Sequence, residues 1–375
     1  MQSQASSYAR KFQPWVVVMC NALFFLFAFI SMTSFDPLNT YIRHAFHINA
    51  QQLGVLSAMY YYANVLFMIP AGLLLDHFSV KKIVLCAVVL CMVGVLGFAY
   101  TESLLVADIC RFMVGLSSTV CLLSCAVLTS RWFTPRMSGL VLGLVVTMAM
   151  LGGVISQQLI YLVDLFNSWR MALVALAAFG AVIWLLIFIF VKDAPPGYEA
   201  PEHHIDERHF MAKFFMAIKN IQNWLGGLYS NILSIPIIVL GSLWGKDYLV
   251  TAHQLSDAQA LMVISTIFFG LIVGSPLVGA WADAWQRRKP PMLIGAVCTL
   301  VTMLIIMYVP DLSVHMLAVL FFLLGFFSST QVIVYPMVIE LNPHAITGCS
   351  QALTATIVMA CGAIFQPLFG TLLQW

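Results

Sequence analysis

Gly72-Leu73-Leu74-Leu75-Asp76-His77-Phe78-Ser79-Val80-Lys81-Lys82 is a short polar stretch between two long apolar runs, and its pattern returns later in the chain. Gly279-Ala280-Trp281-Ala282-Asp283, followed by Arg287-Arg288-Lys289, repeats it at a shift of 207 positions. In both places a glycine precedes an aspartate by four residues, and a cluster of cations follows. A charged loop that recurs between apolar segments predicts a duplicated helical unit.

The composition places the flanking runs in a membrane. Of 375 residues, 62% are hydrophobic and 9% are charged, whereas soluble domains carry roughly 25% charged residues. Apolar runs of about 20 residues cross a bilayer as helices, since the backbone must satisfy its hydrogen bonds internally there. The sequence therefore predicts an all-α membrane protein with eleven spans. Numbered 1 to 11, they cover about 15–35, 52–75, 82–100, 104–130, 138–163, 169–191, 222–245, 259–282, 291–309, 313–339 and 346–374.

The cations predict the orientation of the chain. Apart from Arg111 in span 4, three cations, Arg43, Arg170 and Lys246, fall on one side of the membrane, and thirteen fall with the N-terminus on the other. The thirteen are Arg10, Lys11, Lys81, Lys82, Arg131, Arg136, Lys192, Arg208, Lys213, Lys219, Arg287, Arg288 and Lys289. Because cytoplasmic loops carry the excess of Lys and Arg, we expect a cytoplasmic N-terminus.

A second repeat, at a shift of 209 positions, supports the duplication. It places Gly139, Leu144, Thr147, Met150, Gly153, Ile155, Gln157 and Leu159 of span 5 on Gly348, Leu353, Thr356, Met359, Gly362, Ile364, Gln366 and Leu368 of span 11. Two six-helix units with the same membrane orientation are expected to alternate around a solute held between them. Span 6 has no counterpart after span 11, so the sequence predicts that a twelfth helix is absent from this chain.

A polar segment joins the two units. Residues 192–208 contain prolines, a glycine and five acidic residues, which predicts a cytoplasmic linker, and apolar residues at helical spacing from Phe210 to Ile221 predict an amphipathic helix on the inner leaflet. The expected domains are 1–191 (N-terminal bundle), 192–221 (linker and interfacial helix) and 222–375 (C-terminal bundle).

His203, His204 and His209 fit no metal-ligand spacing, so we expect no metal and no cofactor.

The loop Gly72–Lys82 resembles the signature loop of the major facilitator superfamily, and Gly279–Lys289 resembles its second copy. Arg111-Phe112-Met113-Val114-Gly115 is similar to the second motif of that family. The first loop has His77 and Ser79 where the family usually has Arg and Gly, and span 5 lacks the Gly-Pro signature of drug antiporters, which weakens an efflux function. Tyr60–Asn64 and Leu243–Gly245 resemble a bacterial subgroup of nutrient importers that includes phagosomal transporters. The resemblance implies two six-helix bundles related by a pseudo-twofold axis.

Charged and loop residues predict gating and coupling. A latch of the inner side is expected from Gly72, Asp76, Lys81, Gly279, Asp283 and Arg287, with Asp76 facing the start of span 11 near Ala345 to Thr347. Alternatively, the basic cluster only retains the loop inside. Arg111, Asp36 and Glu340 are the coupling candidates. Pairing with Asp108 is the structural alternative for Arg111, and an interfacial position is the alternative for the two carboxylates.

Polar residues in the spans that the family turns inward are candidates for solute contact. They are Asn21, Tyr61, Asn64, Gln157, Asn231, Tyr335 and Gln366. A buried amide in lipid needs a partner, so the paired Gln157 and Gln366 are the preferred candidates. Hydrogen bonding between helices is the alternative for each of them.

These observations predict a secondary active transporter of the bacterial inner membrane, with proton coupling implied by the resemblance. The expected solute is small, polar and organic, such as an amino acid, short peptide or nucleoside. The alternatives are an exporter of drugs or a siderophore, and a transporter-like receptor that conducts nothing. No nucleotide-binding loop or catalytic domain is present in this sequence, so enzymatic chemistry is a poor fit. We expect a monomer in the lipid bilayer, and no nucleic acid as a partner.

Overall fold

Eleven helices of the described chain are long and apolar enough to cross a membrane. The computed structural model describes residues 2–195, 214–285, 287–343 and 346–373, without the side chains of 2–11, 73, 76, 77, 135, 136, 138 and 283. No strand occurs in these ranges. The prediction of an all-α chain with eleven spans is confirmed. The histidines of the linker and the residues 210–213 lie outside the described ranges, whereas 214–219 are helical.

Most spans are single helices, and the others are interrupted. The single helices are Gln2–Thr33 (span 1), Ala50–His77 (2), Val80–Tyr100 (3), Leu104–Trp132 (4), Trp169–Phe190 (6), Asp257–Ala284 (8), Lys289–Tyr308 (9) and Thr347–Leu372 (11). Span 1 is followed, after Ser34, by a short helix, Phe35–Phe46, which we call the cap helix. Span 5 consists of Pro135–Gln157 and Leu159–Phe166. Span 10 consists of Val314–Ser328, Ser329–Ile333 in 3-10 form, and Val334–Leu341.

Span 7 is longer and less regular than its sequence suggested. It comprises Ile221–Val239, a π-helical turn Leu240–Trp244, which we call the π segment, and Gly245–His253. Pro236 removes one backbone donor ahead of this turn, and Gly241 and Gly245 tolerate its geometry. The predicted end near 245 was wrong, because the polar residues beyond it were assigned to a loop.

The same close contact occurs in both halves of the chain. A Cβ atom on Gly115 of span 4 would overlap the carbonyl oxygen of Tyr60 in span 2. A Cβ on Gly325 of span 10 would overlap the carbonyl oxygen of Ile267 in span 8. Tyr60 and Ile267 are themselves separated by the same shift as the two loops. The duplication read from the sequence is therefore expressed in the packing, where small residues let helix backbones touch.

The two halves meet at one end of the molecule. We call the surface between residues 1–191 and 214–373 the seam, and its two ends the Asp36 end and the Lys81 end. Toward the Asp36 end, a Cβ on Gly54 of span 2 would lie 2.5 Å from the Gln366 carbonyl oxygen of span 11. At the Lys81 end of the same two helices, a Cβ on Gly72 or Gly348 would have no contact within 4 Å among the described residues. Spans 2 and 11 thus pack closely at the Asp36 end, whereas Gly72 and Gly348 face open space among the described residues.

Gly115→Ala tests the contact between spans 2 and 4, which has an equivalent between spans 8 and 10 in the other half. We expect it to lower the free energy of unfolding by about 1–3 kcal/mol, because the added methyl group must displace the span 2 backbone. Gly143→Ala is the control, since its Cβ would meet none of the described atoms within 4 Å and alanine is the better helix former by about 1 kcal/mol. Thermal unfolding of the two purified variants should move in opposite directions. Equal effects would show that spans 2 and 4 are not in contact at Gly115.

Candidate functional site

The π segment of span 7 is where side chains from several helices meet. A π turn adds a residue to the helix and so disturbs the regular pairing of backbone groups. In a membrane interior each such group needs another partner. Asn39 of the cap helix donates to the Leu243 carbonyl oxygen at 3.2 Å, and the Tyr61 hydroxyl lies 3.3 Å from Ser242 Oγ. Both bonds cross the seam.

Gln157 and Gln366, the pair related by the internal repeat, converge on this same strip of span 7. Gln157 Nε2 donates to the Gly241 carbonyl oxygen at 3.2 Å, across the seam. Gln366 Nε2 donates to the Ile238 carbonyl oxygen at 2.7 Å and to Ser242 Oγ at 2.9 Å. Backbone carbonyls only accept, so these bonds fix the orientation of both amides. The two Oε1 atoms are buried and have no hydrogen-bond partner within the described structure.

Four other candidates for solute contact are not brought to the π segment. Asn21 Nδ2 donates to Ser124 Oγ at 2.9 Å, and Asn64 Nδ2 donates to the Gly115 carbonyl oxygen at 3.1 Å, both within the N-terminal half. Asn231 donates to the Ile357 carbonyl oxygen within the C-terminal half. Tyr335 is partly buried near the Lys81 end of span 10. The three asparagines thus make hydrogen bonds between helices, as the alternative to solute contact predicts.

Arg111 is buried and holds the end of span 1. Its two terminal nitrogens donate to the carbonyl oxygens of Ser31 at 2.6 Å and of Met32 at 2.7 Å. The guanidinium also lies 3.9 Å from the ring centroid of Phe35. Asp108, the local partner that the sequence offered, does not pair with it in the described part of the chain, where Asp108 Oδ1 is buried without a hydrogen-bond partner.

A small cavity of about 20 Å³ adjoins the Arg111 side chain. Its walls come from spans 1, 3, 4 and 6 and the start of the cap helix: Ser31, Ser34, Phe35, Val95, Phe98, Arg111, Val114, Leu173 and Leu176. A cavity of this size has room for one water molecule but for no organic solute. Arg111 is therefore built into the joint between span 1 and the cap helix, where the chain turns.

Asp36 lies in the first turn of the cap helix, outside the eleven spans, and is fully buried against span 7. Its Oδ1 accepts the Lys246 N–H at 3.1 Å, and its Oδ2 has no hydrogen-bond partner among the described residues. Burial raises the pKa of the Asp36 carboxyl to about 7, while the Lys246 N–H and ammonium act in the opposite direction. Among the acidic residues whose side chains are described, Asp36 alone is buried.

Lys246, which the sequence placed on the outer surface, is 2% exposed. Its Nζ donates to Thr40 Oγ1 at 3.0 Å, across the seam, and lies 3.6 Å from Asp257 Oδ2. The sequence ended span 7 one residue before it, so its burial could not be anticipated. The available signal was weak: the segment Ile221–His253 is long and apolar enough for a membrane span in spite of this lysine and Asp247.

The gating candidates gather at the Lys81 end, and the contacts described there stay within each half. Lys81 Nζ donates to the Phe188 carbonyl oxygen at 2.7 Å, and its backbone N–H donates to Asp193 Oδ1 at 2.8 Å. Arg288 pairs with Glu340 at 2.8 Å on the surface of the C-terminal half. Arg287 is exposed, and in the part of the chain that the structure describes no atom lies within 4 Å of a Cβ on Gly72 or Gly279. The side chains of Asp76 and Asp283, and Ala345, lie outside the described structure, so the latch to span 11 stays a prediction.

Comparisons with known proteins place this geometry in a family. A model of the Major Facilitator Superfamily matches residues 22–367. The chain is 27% identical over 164 residues to an uncharacterized transporter of Bacillus subtilis, YybO, covering 44% of this chain and 36% of that protein. It is 24% identical over 178 residues (48% and 41%) to a probable sulfoacetate transporter of Cupriavidus necator. It is 22% identical over 248 residues (62% and 57%) to a hexuronate transporter of Bacillus subtilis. This chain thus spans less than two thirds of the length of each of these relatives.

Solved structures give the same fold. A bacterial homolog of the human lysosomal transporter Spinster, in an inward-facing and unoccupied conformation, matches with a TM-score of 0.77 at 17% identity, over 95% of this chain and 81% of that one. A single-residue mutant of the nucleoside transporter NupG matches with a TM-score of 0.74 at 13% identity, over 95% and 91%. At these identities the likeness concerns the fold. The family and the named relatives are transporters, not enzymes.

Arg111→Gln tests whether the guanidinium stabilises the end of span 1. It should lower the free energy of unfolding by on the order of 1–3 kcal/mol for each carbonyl left unpaired in the interior. Arg170→Gln is the matched control. Arg170 also donates to two carbonyl oxygens, those of Ala99 at 2.6 Å and Thr101 at 3.0 Å, but it is only half-buried, so water can replace it. Thermal unfolding that shows no larger loss for Arg111→Gln would contradict this role.

Proposed function

This chain belongs to the Major Facilitator Superfamily, and on that premise we propose that it is a secondary active transporter that moves a small polar organic solute by alternating access. It is a multi-pass membrane protein by the number and apolarity of its helices. The observation that carries the proposal is the close packing of spans 2 and 11 at the Asp36 end, together with the open space that Gly72 and Gly348 face among the described residues at the Lys81 end. A seam that closes at one end and opens at the other is the geometry that alternation between two halves requires.

The bonds that close the seam suit a surface that opens and closes. The hydrogen bonds of Asn39, Tyr61 and Gln157 to span 7 join neutral groups. Each such bond contributes about 0.5–1.5 kcal/mol net, because water replaces it when the halves part. Closure held by several such bonds and by helix packing can be shifted by a solute that binds one state better.

The chemistry at the π segment supports a polar organic solute. Tyr61, Gln157 and Gln366 present one hydroxyl and two amides beside Ser242, and Phe29 and Phe268 pack edge to face across the seam with 6.2 Å between ring centroids. We propose this strip as the wall of the solute site nearest the Asp36 end. Sulfoacetate and hexuronate, named for two relatives, and nucleosides, named for one structural neighbour, are small polar organic solutes.

Orientation, coupling and assembly complete the proposal. We propose that the N-terminus and the Lys81 end are cytoplasmic, on the distribution of Lys and Arg. Residues 1–191 and 222–375 would then move as two bundles joined by 192–221 in a monomer of the bacterial inner membrane. The proton is the proposed driving ion, as the family resemblance implies. Of the three coupling candidates, Arg111 and Glu340 are engaged within their own halves, and Asp36 lies at the closed end of the seam.

A ligand screen followed by flux measurements tests the function. Purified protein is heated with carboxylated and sulfonated acids, amino acids, short peptides and nucleosides, and a bound solute raises the unfolding temperature. That solute is then followed in proteoliposomes with and without a pH gradient. We expect accumulation driven by an inward proton gradient. Extrusion would identify an exporter, and binding without flux would identify a receptor; either result contradicts the proposal.

Cysteine labelling tests which end of the seam is open. In a chain whose native cysteines are replaced, Gly72→Cys should react rapidly with a membrane-impermeant maleimide added from the Lys81 side. Ser57→Cys, on the same span but 1% exposed, should react slowly. Solute and pH that favour the opposite opening should slow the first reaction. Equal rates at both positions would show that span 2 does not separate from span 11 at the Lys81 end.

A further inference from the structure

Asp36 forms a buried contact between the two halves at the closed end of the seam. Its carboxylate is fully buried between the cap helix and span 7, and the hydrogen bond that it accepts from the Lys246 N–H crosses from one half to the other. A carboxylate can accept about four hydrogen bonds. A buried carboxylate with one oxygen unpaired is far less costly when it is neutral.

The charged groups around Asp36 are occupied with other partners. On span 7, the Lys246 ammonium is shared between Thr40 and Asp257, and Asp247 lies 3.9 Å from Arg43 of the cap helix. On the cap helix, Arg43 and His44 lie about two turns beyond Asp36. Span 8 contributes Asp257, whose side chain is 59% exposed. Burial is the largest influence on Asp36 and favours its neutral form, the Lys246 charge opposes burial, and the Asp247 charge adds to it, so Lys246 offsets the burial only in part.

The surroundings also decide from which side a proton reaches Asp36. Thr40, one turn along the cap helix, is exposed, and it lines a surface recess at the Asp36 end together with Tyr41, His44 and Asp257. Toward the Lys81 end, the contacts of Gln157 with Gly241 and of Tyr61 with Ser242 stand in the way. The short path therefore leads to the solution at the Asp36 end.

We propose that Asp36 is a protonation-dependent latch of the seam, which takes up a proton from the solution at the Asp36 end when the halves close there and returns it to the same side when they open. The transported proton, where there is one, travels by another group. This inference rests on the proposed alternation of the two halves. It assigns Asp36 to the closing equilibrium and not to the driving force.

Whether a rise in pH favours the closed or the open state depends on which of the two binds the proton more tightly. In the open state Asp36 is hydrated and ionises in the usual acidic range, whereas the closed state favours the neutral form. The closed state is therefore fully stabilised at low pH and loses that stabilisation as the pH rises from the pKa of the open state to that of the closed state. Within this window the ratio of closed to open molecules should fall about tenfold per pH unit, as expected for one proton.

A distance measurement across the Asp36 end tests the latch. Spin labels at Gln51→Cys on span 2 and Thr251→Cys at the end of span 7, both exposed positions on opposite halves, report closure in a chain that carries Cys86→Ser. Between about pH 4 and pH 7 we expect the short distance to dominate at low pH and to give way to a longer one as the pH rises, with a slope of one proton. Asp36→Asn should show at every pH the ratio of short to long distances that the unsubstituted protein shows at low pH, since a neutral amide can still accept the Lys246 N–H. Asp247→Asn is the control and should retain the slope.

The outcomes separate the latch from the proposed function. A slope that is missing in the unsubstituted protein, or that persists in Asp36→Asn, overturns the latch, and the first of these results needs no variant to fold. A single distance under all conditions overturns the alternation itself. In proteoliposomes, Asp36→Asn should move solute more slowly, because it favours the closed state, and the solute that it moves should still be accompanied by protons. Solute movement that continues in this variant without protons would show that Asp36 carries the transported proton, which also overturns the inference.

Discussion

A backbone carbonyl in the interior of a membrane protein needs a donor, and the polar contacts between these helices follow from that constraint. Regular helices satisfy their own carbonyls, so the requirement falls on the places where a helix ends or changes pitch. Arg111 donates to two carbonyls at the end of span 1. Gln157, Gln366 and Asn39 donate to carbonyls around the π segment of span 7. These polar side chains are thus placed where the helices are irregular.

The same constraint separates two kinds of polar residue in the spans. Some have hydrogen-bond partners in their own half, and others have partners across the seam and stay candidates for solute contact. Asn21, Asn64 and Asn231 have partners inside their own halves, which fixes helix pairs such as spans 2 and 4. Gln157 and Tyr61 have partners across the seam, and in the proposed alternation those bonds break when the seam opens. A group whose partner leaves during the cycle is available to a solute, whereas a group with a permanent partner is not.

Much of the fold could be predicted from the sequence, and the site only partly. Composition and span length give eleven helices, and the two internal repeats give the duplication, because both depend on local patterns. The internal repeat also related Gln157 to Gln366, and both side chains donate to span 7. The cap helix was missed because Asp36, Asn39 and Arg43 give it the composition of a loop. The burial of Lys246 and the carbonyl partners of Arg111 depend on contacts between segments far apart in the chain, which no local pattern encodes.

The closed end of the seam combines two kinds of contact with different consequences. Bonds from Asn39, Tyr61 and Gln157 to span 7 involve neutral groups, so their strength hardly changes with pH or salt. In the proposed latch, Asp36 adds a group whose charge depends on the solution at the Asp36 end, and it follows the joint where Arg111 donates to the carbonyl oxygens of Ser31 and Met32. Because the cap helix continues directly from that joint, a change in the charge of Asp36 acts on span 1 and span 7 together. Neutral bonds can then set the shape of the closed state, while the titratable contact sets how often that state is occupied.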